Sequence, residues 1–69
     1  MKHTELIIWH PAGDHPERDE TVLVTLDDDR QRWCWAAVYD GQQYRDACGM
    51  QAYRPGLVRC WAAMPRGPL

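Results

Sequence analysis

The sequence predicts a mainly β fold, a small antiparallel sheet of three to five strands, flat or curled towards a small barrel, with at most one short helical turn. Three observations point there. Residues Thr21-Val22-Leu23-Val24-Thr25-Leu26 form a dense β-branched run, the composition that packs best on a pleated surface. Asp40-Gly41 stands between two further strand-like runs, and Asp-Gly is a strong hairpin signal. The chain also carries four Trp and three Tyr but no Phe, so its apolar area is concentrated in a few large side chains. At 69 residues it has room for a single domain, residues 1–69. A domain this size buries only about 60% of the surface its unfolded chain exposes, so it needs a rich core or a staple.

The elements follow in order. Leu6-Ile7-Ile8-Trp9 is a short strand or an apolar plug. From His10 to Asp19 the chain holds Pro11, Gly13 and Pro16, which is loop chemistry. The strand at 21–26 runs into Asp27-Asp28-Asp29-Arg30-Gln31, a polar hairpin loop. Trp33 to Tyr39 is the second strand, and a two-residue type I′ turn at Asp40-Gly41 leads to a third strand at about 42–46. That turn sets a register in which Tyr39 faces Gln42, Val38 faces Gln43 and Ala37 faces Tyr44. Alternation then places Trp33, Trp35, Ala37, Tyr39 and Tyr44 on one side of the hairpin, and Cys34, Ala36 and Val38 on the other. Residues 47–53 allow one helical turn, limited by Gly49 and stopped by Arg54-Pro55-Gly56. The last strand, Leu57 to Met64, puts Leu57, Trp61 and Ala63 on one side and Val58, Cys60 and Met64 on the other. Apolar on both sides, it belongs inside a sheet or under cover. Pro65 and Pro68 end regular pairing.

Charge is segregated along the chain. Residues 1–29 set Lys2 and Arg18 against eight acids, whereas residues 30–69 set six Arg against Asp40 and Asp46. The total of −2 lacks the positive excess of a general nucleic-acid binder, and in an antiparallel sheet the two halves lie side by side. The run at Leu6–Trp9 is too short for the apolar core of a signal peptide, and no run is long enough to span a membrane as a helix. Cys34, Cys48 and Cys60 are widely spaced with no CxxC. The expectation is a cytoplasmic protein with reduced thiols and no membrane partner.

Few chemistries fit these residues. Structural zinc wants closely paired ligands, and only His10 and His15 have such a spacing, within a loop and with no Cys pair to join them. Cys34 lies between two Trp, and Cys60 between Arg59 and Trp61, which are packing surroundings rather than those of an activated thiolate. The chain has no Ser, so serine chemistry is out. The Asp27–Asp29 run lacks the Gly and Glu of a calcium loop. No cofactor, metal or catalytic group is expected.

The order of these features resembles the "domain of unknown function 551" family of short phage and prophage proteins. Trp9 precedes the acidic loop His15-Pro16-Glu17-Arg18-Asp19-Glu20, followed by Thr21-Val22-Leu23-Val24. Ala37-Val38-Tyr39-Asp40-Gly41 comes next with an aromatic at Tyr44, then Val58-Arg59-Cys60-Trp61-Ala62-Ala63-Met64-Pro65 and a closing Pro68. The likeness spans residues 9 to 68. The chain departs from the family pattern at His15 (Leu there), Cys60 (His) and Tyr44 (Trp). The resemblance implies a phage or prophage accessory protein of small β type, with no catalytic residues to carry over.

The aromatic set carries the functional expectation. Tyr, Trp and Arg dominate binding hot spots, and both sides of the second strand are apolar, more than one thin sheet hides alone. A partner-binding face is therefore expected at Trp33, Trp35, Tyr39 and Tyr44 with Arg32 and Arg45. Its partner is a protein, such as a host enzyme or defence complex, or a second copy of the chain. The alternative is a single-stranded nucleic-acid binder stacking bases on the same Trp/Tyr/Arg face.

Overall fold

A computed structural model describes residues 2, 4–48 and 50–67. Five strands form one antiparallel sheet: β1 (His10–Pro11), β2 (Thr21–Asp27), β3 (Arg32–Tyr39), β4 (Tyr44–Asp46) and β5 (Val58–Ala63). Their spatial order is β1-β5-β2-β3-β4. The hairpin-linked trio β2-β3-β4 is followed by a strand that returns beside the first of them, which is Greek-key connectivity. The sheet stays open, and the described residues contain no helix. In place of a helical turn at 47–53, Ala47 and Cys48 form a turn, Met50 and Gln51 a bend, and Ala52 an isolated bridge to Arg45. Gly49, invoked above to limit that turn, and Pro68, invoked to end pairing, lie outside the described residues.

Strand β2 forms because its alternation matches its place in the middle of the sheet. Val22, Val24 and Leu26 are essentially fully buried, while Leu23 and Thr25 on the other side are half-buried. Burying each large aliphatic contributes about 1.5–3 kcal/mol. β5 pairs with β1 and β2, so the strand read as apolar on both sides lies inside the sheet. Its register departs from strict alternation at one point. Thr25 pairs with Cys60 but Leu26 pairs with Val58, so Arg59 is an extra residue in a bulge. A bulge inserts one residue and resets the alternation, which moves Val58 to the core side with Trp61.

Both hairpins close with the same local device. In the β2–β3 loop, Asp28 N–H donates to Gln31 C=O (3.3 Å), and Asp28 Oδ1 accepts from Arg30 N (3.0 Å) and Gln31 N (2.8 Å). In the β3–β4 loop, Asp40 N–H donates to Gln43 C=O (3.1 Å), and Asp40 Oδ1 accepts from Gln42 N and Gln43 N, both at 2.8 Å. These backbone donors hold the Asp28 and Asp40 carboxyls below the usual carboxylate range. The device corrects the register at Asp40-Gly41. Tyr39 pairs with Tyr44, Val38 with Arg45 and Ala37 with Asp46, so the loop has four residues instead of two. Asx capping by a side chain competes with the two-residue turn, and here it prevails. The slip is by two positions, so Tyr44 keeps its side of the sheet and shortens β4 to Tyr44–Asp46. Gly41 sits at φ +97°, a conformation in which other residues are strained.

Leu6–Trp9 form neither a strand nor a plug; all four are exposed, and the pairing falls instead on His10–Pro11. Local composition made 10–19 a loop, but the free edge of β5 recruits its first two residues: His10 pairs with Trp61 and Pro11 with Cys60.

The rest of that loop is the lid of the core. Ala12 packs on the core and Pro16 is buried. Tyr44 O–H donates to Ala12 C=O (2.9 Å), Trp61 Nε1–H to Asp14 C=O, and Asp19 N–H to Tyr39 C=O (2.8 Å). His15 stacks on Tyr39 with ring centroids 4.6 Å apart, its Nδ1 lying 3.0 Å from Tyr39 Oη, and His10 stacks on Trp61 at 4.5 Å. Tyr53 and Leu57 pack against the same core. A single-layer sheet thus hides one side beneath irregular chain.

Candidate protein-binding surface

The six residues expected to form a binding face divide three ways. Tyr39 and Tyr44 are core residues under the lid, with rings 5.1 Å apart. Burial, with Tyr39 adding to it, pushes the Tyr44 phenol up to about 12. Arg45 pairs with Val38 on the opposite side of the sheet, its Nη1 3.6 Å from Asp40 Oδ2. Arg32, Trp33 and Trp35 lie at the start of β3, the two Trp on the core side and Arg32, opposite Asp27, on the other.

Strand pairing explains why they are accessible. Trp35 sits opposite Val24, and Trp33 opposite Leu26, so both belong to the core side. Yet β4 ends at Asp46, the partner of Ala37, and among the described residues no strand continues on that edge beside the start of β3. The lid is fastened at the far end, over Tyr39. Trp33 is half-buried against the core, while Trp35 is left 61% exposed, an unusual state for so large an apolar side chain.

At the same end of the sheet, mainly on the face opposite Trp35, lies a predominantly apolar groove of about 350 Å³, lined by Thr25, Leu26, Trp33 and Cys34 with Asp27, Arg32 and Arg59. The β5 bulge is what brings Arg59 here; Thr25 Oγ1 accepts from Cys60 N–H (3.0 Å) beside it. Asp27 lies 3.2 Å from Arg32 Nε. Its carboxyl is held below the usual range first by the Asp29 N–H and further by Arg32 and Arg59. The groove therefore has apolar walls, an indole and a rim of two guanidiniums and one carboxylate. Such a mixture of aromatic area and Arg resembles the composition of interface cores.

Arg59 is not among the six expected residues, since a bulge leaves no local signature in Leu57–Met64. The apolar content of Leu6 to Trp9 is legible in the sequence, whereas its exposure is not. Comparison with family models, with curated proteins and with solved structures finds no match to this chain.

Proposed function

We infer that this chain is a non-enzymatic accessory protein of phage or prophage type, acting in the host cytoplasm by binding a protein partner through the Arg32–Trp35 end of β3. The observation that carries the reading is Trp35, largely exposed on the core side of β3, at the same end of the sheet as a groove edged by Arg32 and Arg59 and lined by its neighbour Trp33. Truncating a Trp at a binding hot spot costs about 2 kcal/mol or more, roughly thirtyfold in affinity. The resemblance to the "domain of unknown function 551" family supports the biological class, with a host enzyme or defence complex as the partner type.

The test is affinity capture from host lysate with mass spectrometry, comparing the native chain with Trp35→Ala and Arg59→Ala. Because Trp35 is largely exposed, its removal leaves the thermal midpoint nearly unchanged. Loss of the captured partner in Trp35→Ala supports the reading, and full retention in both variants refutes it. A parallel titration with single-stranded oligonucleotides addresses the alternative. Salt-sensitive binding that quenches Trp fluorescence would replace protein binding by base stacking on Trp35.

A further inference from the structure

We propose that the segment Leu6–Trp9 is a self-pairing edge, through which two copies of this chain join by antiparallel pairing about a two-fold axis at Ile8. The proposal stands apart from the Arg32–Trp35 surface and rests on the other end of the sheet.

The two edges of the sheet are treated differently. At the β4 edge the chain caps itself: Arg45 bridges Ala52, with Asp46 N–H donating to Gln51 C=O (2.9 Å) and Tyr53 N–H to Tyr44 C=O (2.9 Å). At the β1 edge the strand is two residues long, and the residues before it are Leu6, Ile7, Ile8 and Trp9, exposed by 85%, 39%, 62% and 41%. Among the described residues, no backbone hydrogen bond outside the strands involves any of these four. An apolar edge with open backbone groups is a template for another strand.

The phase of the β1–β5 ladder shows which groups are open. Ala12 N–H donates to Arg59 C=O (3.0 Å), and His10 pairs with Trp61, so even-numbered residues direct their backbone groups at β5. Odd-numbered residues direct theirs away from it. Pro11 has no N–H, and its C=O accepts from Asp14 N–H (3.0 Å), so the open edge ends there. Carried back beyond the two residues of β1, through a segment extended on pairing, the same phase gives Trp9 and Ile7 the outward groups. The segment is also held in place: His10 fixes one end, and at the other the Glu5 carboxylate accepts from Arg66 N–H and from Gly67 N–H (2.9 Å). Little ordering remains to oppose pairing.

A second copy fits these groups. With Ile8 opposite Ile8 of the copy, Ile7 and Trp9 form hydrogen-bonded pairs with Trp9 and Ile7 of the other chain. Each pair sets a β-branched side chain against an aromatic, a favourable cross-strand combination. No charged residue occurs between 6 and 9, so no like charges meet in this isologous arrangement. The contact is smaller than the roughly 800 Å² per partner of a standard interface, so the dimer is weak and reversible.

Sedimentation velocity of the full chain over micromolar to millimolar concentrations is the test. The expected result is a shift from one-chain to two-chain mass, abolished by Ile8→Lys, which opposes two cations at the axis, and by Ile7→Pro, which deletes an outward donor. Circular dichroism checks that both variants stay folded. Ile8→Cys supplies an independent readout in a Cys34→Ser, Cys48→Ser background. At a non-hydrogen-bonded pair the Cα atoms lie about 4.5 Å apart, within the disulfide range, so mild oxidation links two chains, whereas Ile7→Cys does not. A monomer at every concentration overturns the proposal. So does a dimer that persists in both folded variants, or cross-linking through Ile7→Cys in place of Ile8→Cys.

Discussion

Replacing Tyr44 by Phe isolates the bond that fastens the lid to the sheet. The change keeps the ring against Tyr39 and removes only the hydroxyl that donates to Ala12 C=O at 2.9 Å. A net hydrogen bond contributes about 1 kcal/mol, and the part-buried carbonyl left without its donor raises the loss to about 1–2 kcal/mol. In a domain of this size each kcal/mol moves the thermal midpoint by about 4–8 °C, so the variant melts about 5–15 °C lower at pH 7. The pH dependence supplies a second check. The folded-state value of Tyr44, about 12, lies above the ordinary tyrosine value of about 10. The folded chain keeps this proton where the unfolded chain has released it. The stabilisation is therefore complete below pH 10 and declines by at most about 1.4 kcal/mol per pH unit as pH rises towards 12. The Phe variant lacks that titration, so the gap between the two proteins narrows between pH 10 and 12. Urea unfolding followed by far-UV circular dichroism across pH 7–12 measures both quantities. A difference below about 0.3 kcal/mol at pH 7, well under one hydrogen bond, or a gap that stays constant to pH 12, refutes the account of the lid.

Two further outcomes test the core and the turns. Leu26→Ala removes one of the largest fully buried side chains and costs about 2–5 kcal/mol, enough to leave so small a domain largely unfolded in dilute urea; an unshifted urea midpoint would contradict its place in the core. Asp40→Ala takes away the acceptor shared by the Gln42 and Gln43 amides, so protection of these amides from hydrogen exchange falls while Asp40→Asn restores part of it. In the native chain the same amide shifts titrate with a midpoint below the ordinary carboxylate range, since the turn keeps its acceptor until pH falls through the lowered value. A midpoint at or above the ordinary value would show that the carboxylate does not cap the turn.

The elements that were legible are those whose cause is local. Val22, Val24 and Leu26 alternate with less buried residues, and that alternation by itself marks a strand with one covered side. The apolar run around Trp61 likewise marked an inner strand, and Asp40-Gly41 marked a turn. The size of that turn was not legible, because Asp opens both a two-residue and an Asx-capped four-residue loop; the choice depends on which backbone groups its carboxylate reaches. The paired pattern of Asp28 with Gln31 and Asp40 with Gln43 carries that signal in retrospect.

For the binding surface the split runs the same way. The sequence determined that Trp33, Trp35, Tyr39 and Tyr44 share one side of a hairpin, since side-chain direction in a strand has a period of two and survives a two-residue slip. It also determined that both sides of that strand are apolar. Only the tertiary structure decided which of the four aromatics is available. The lid from Ala12 to Asp19 closes over Tyr39 and Tyr44, whereas β4 stops at Asp46 and leaves Trp35 uncovered. Burial depends on chain segments distant in sequence, and neither the reach of a loop nor the edge left open by a short strand is encoded in the residues it covers or exposes.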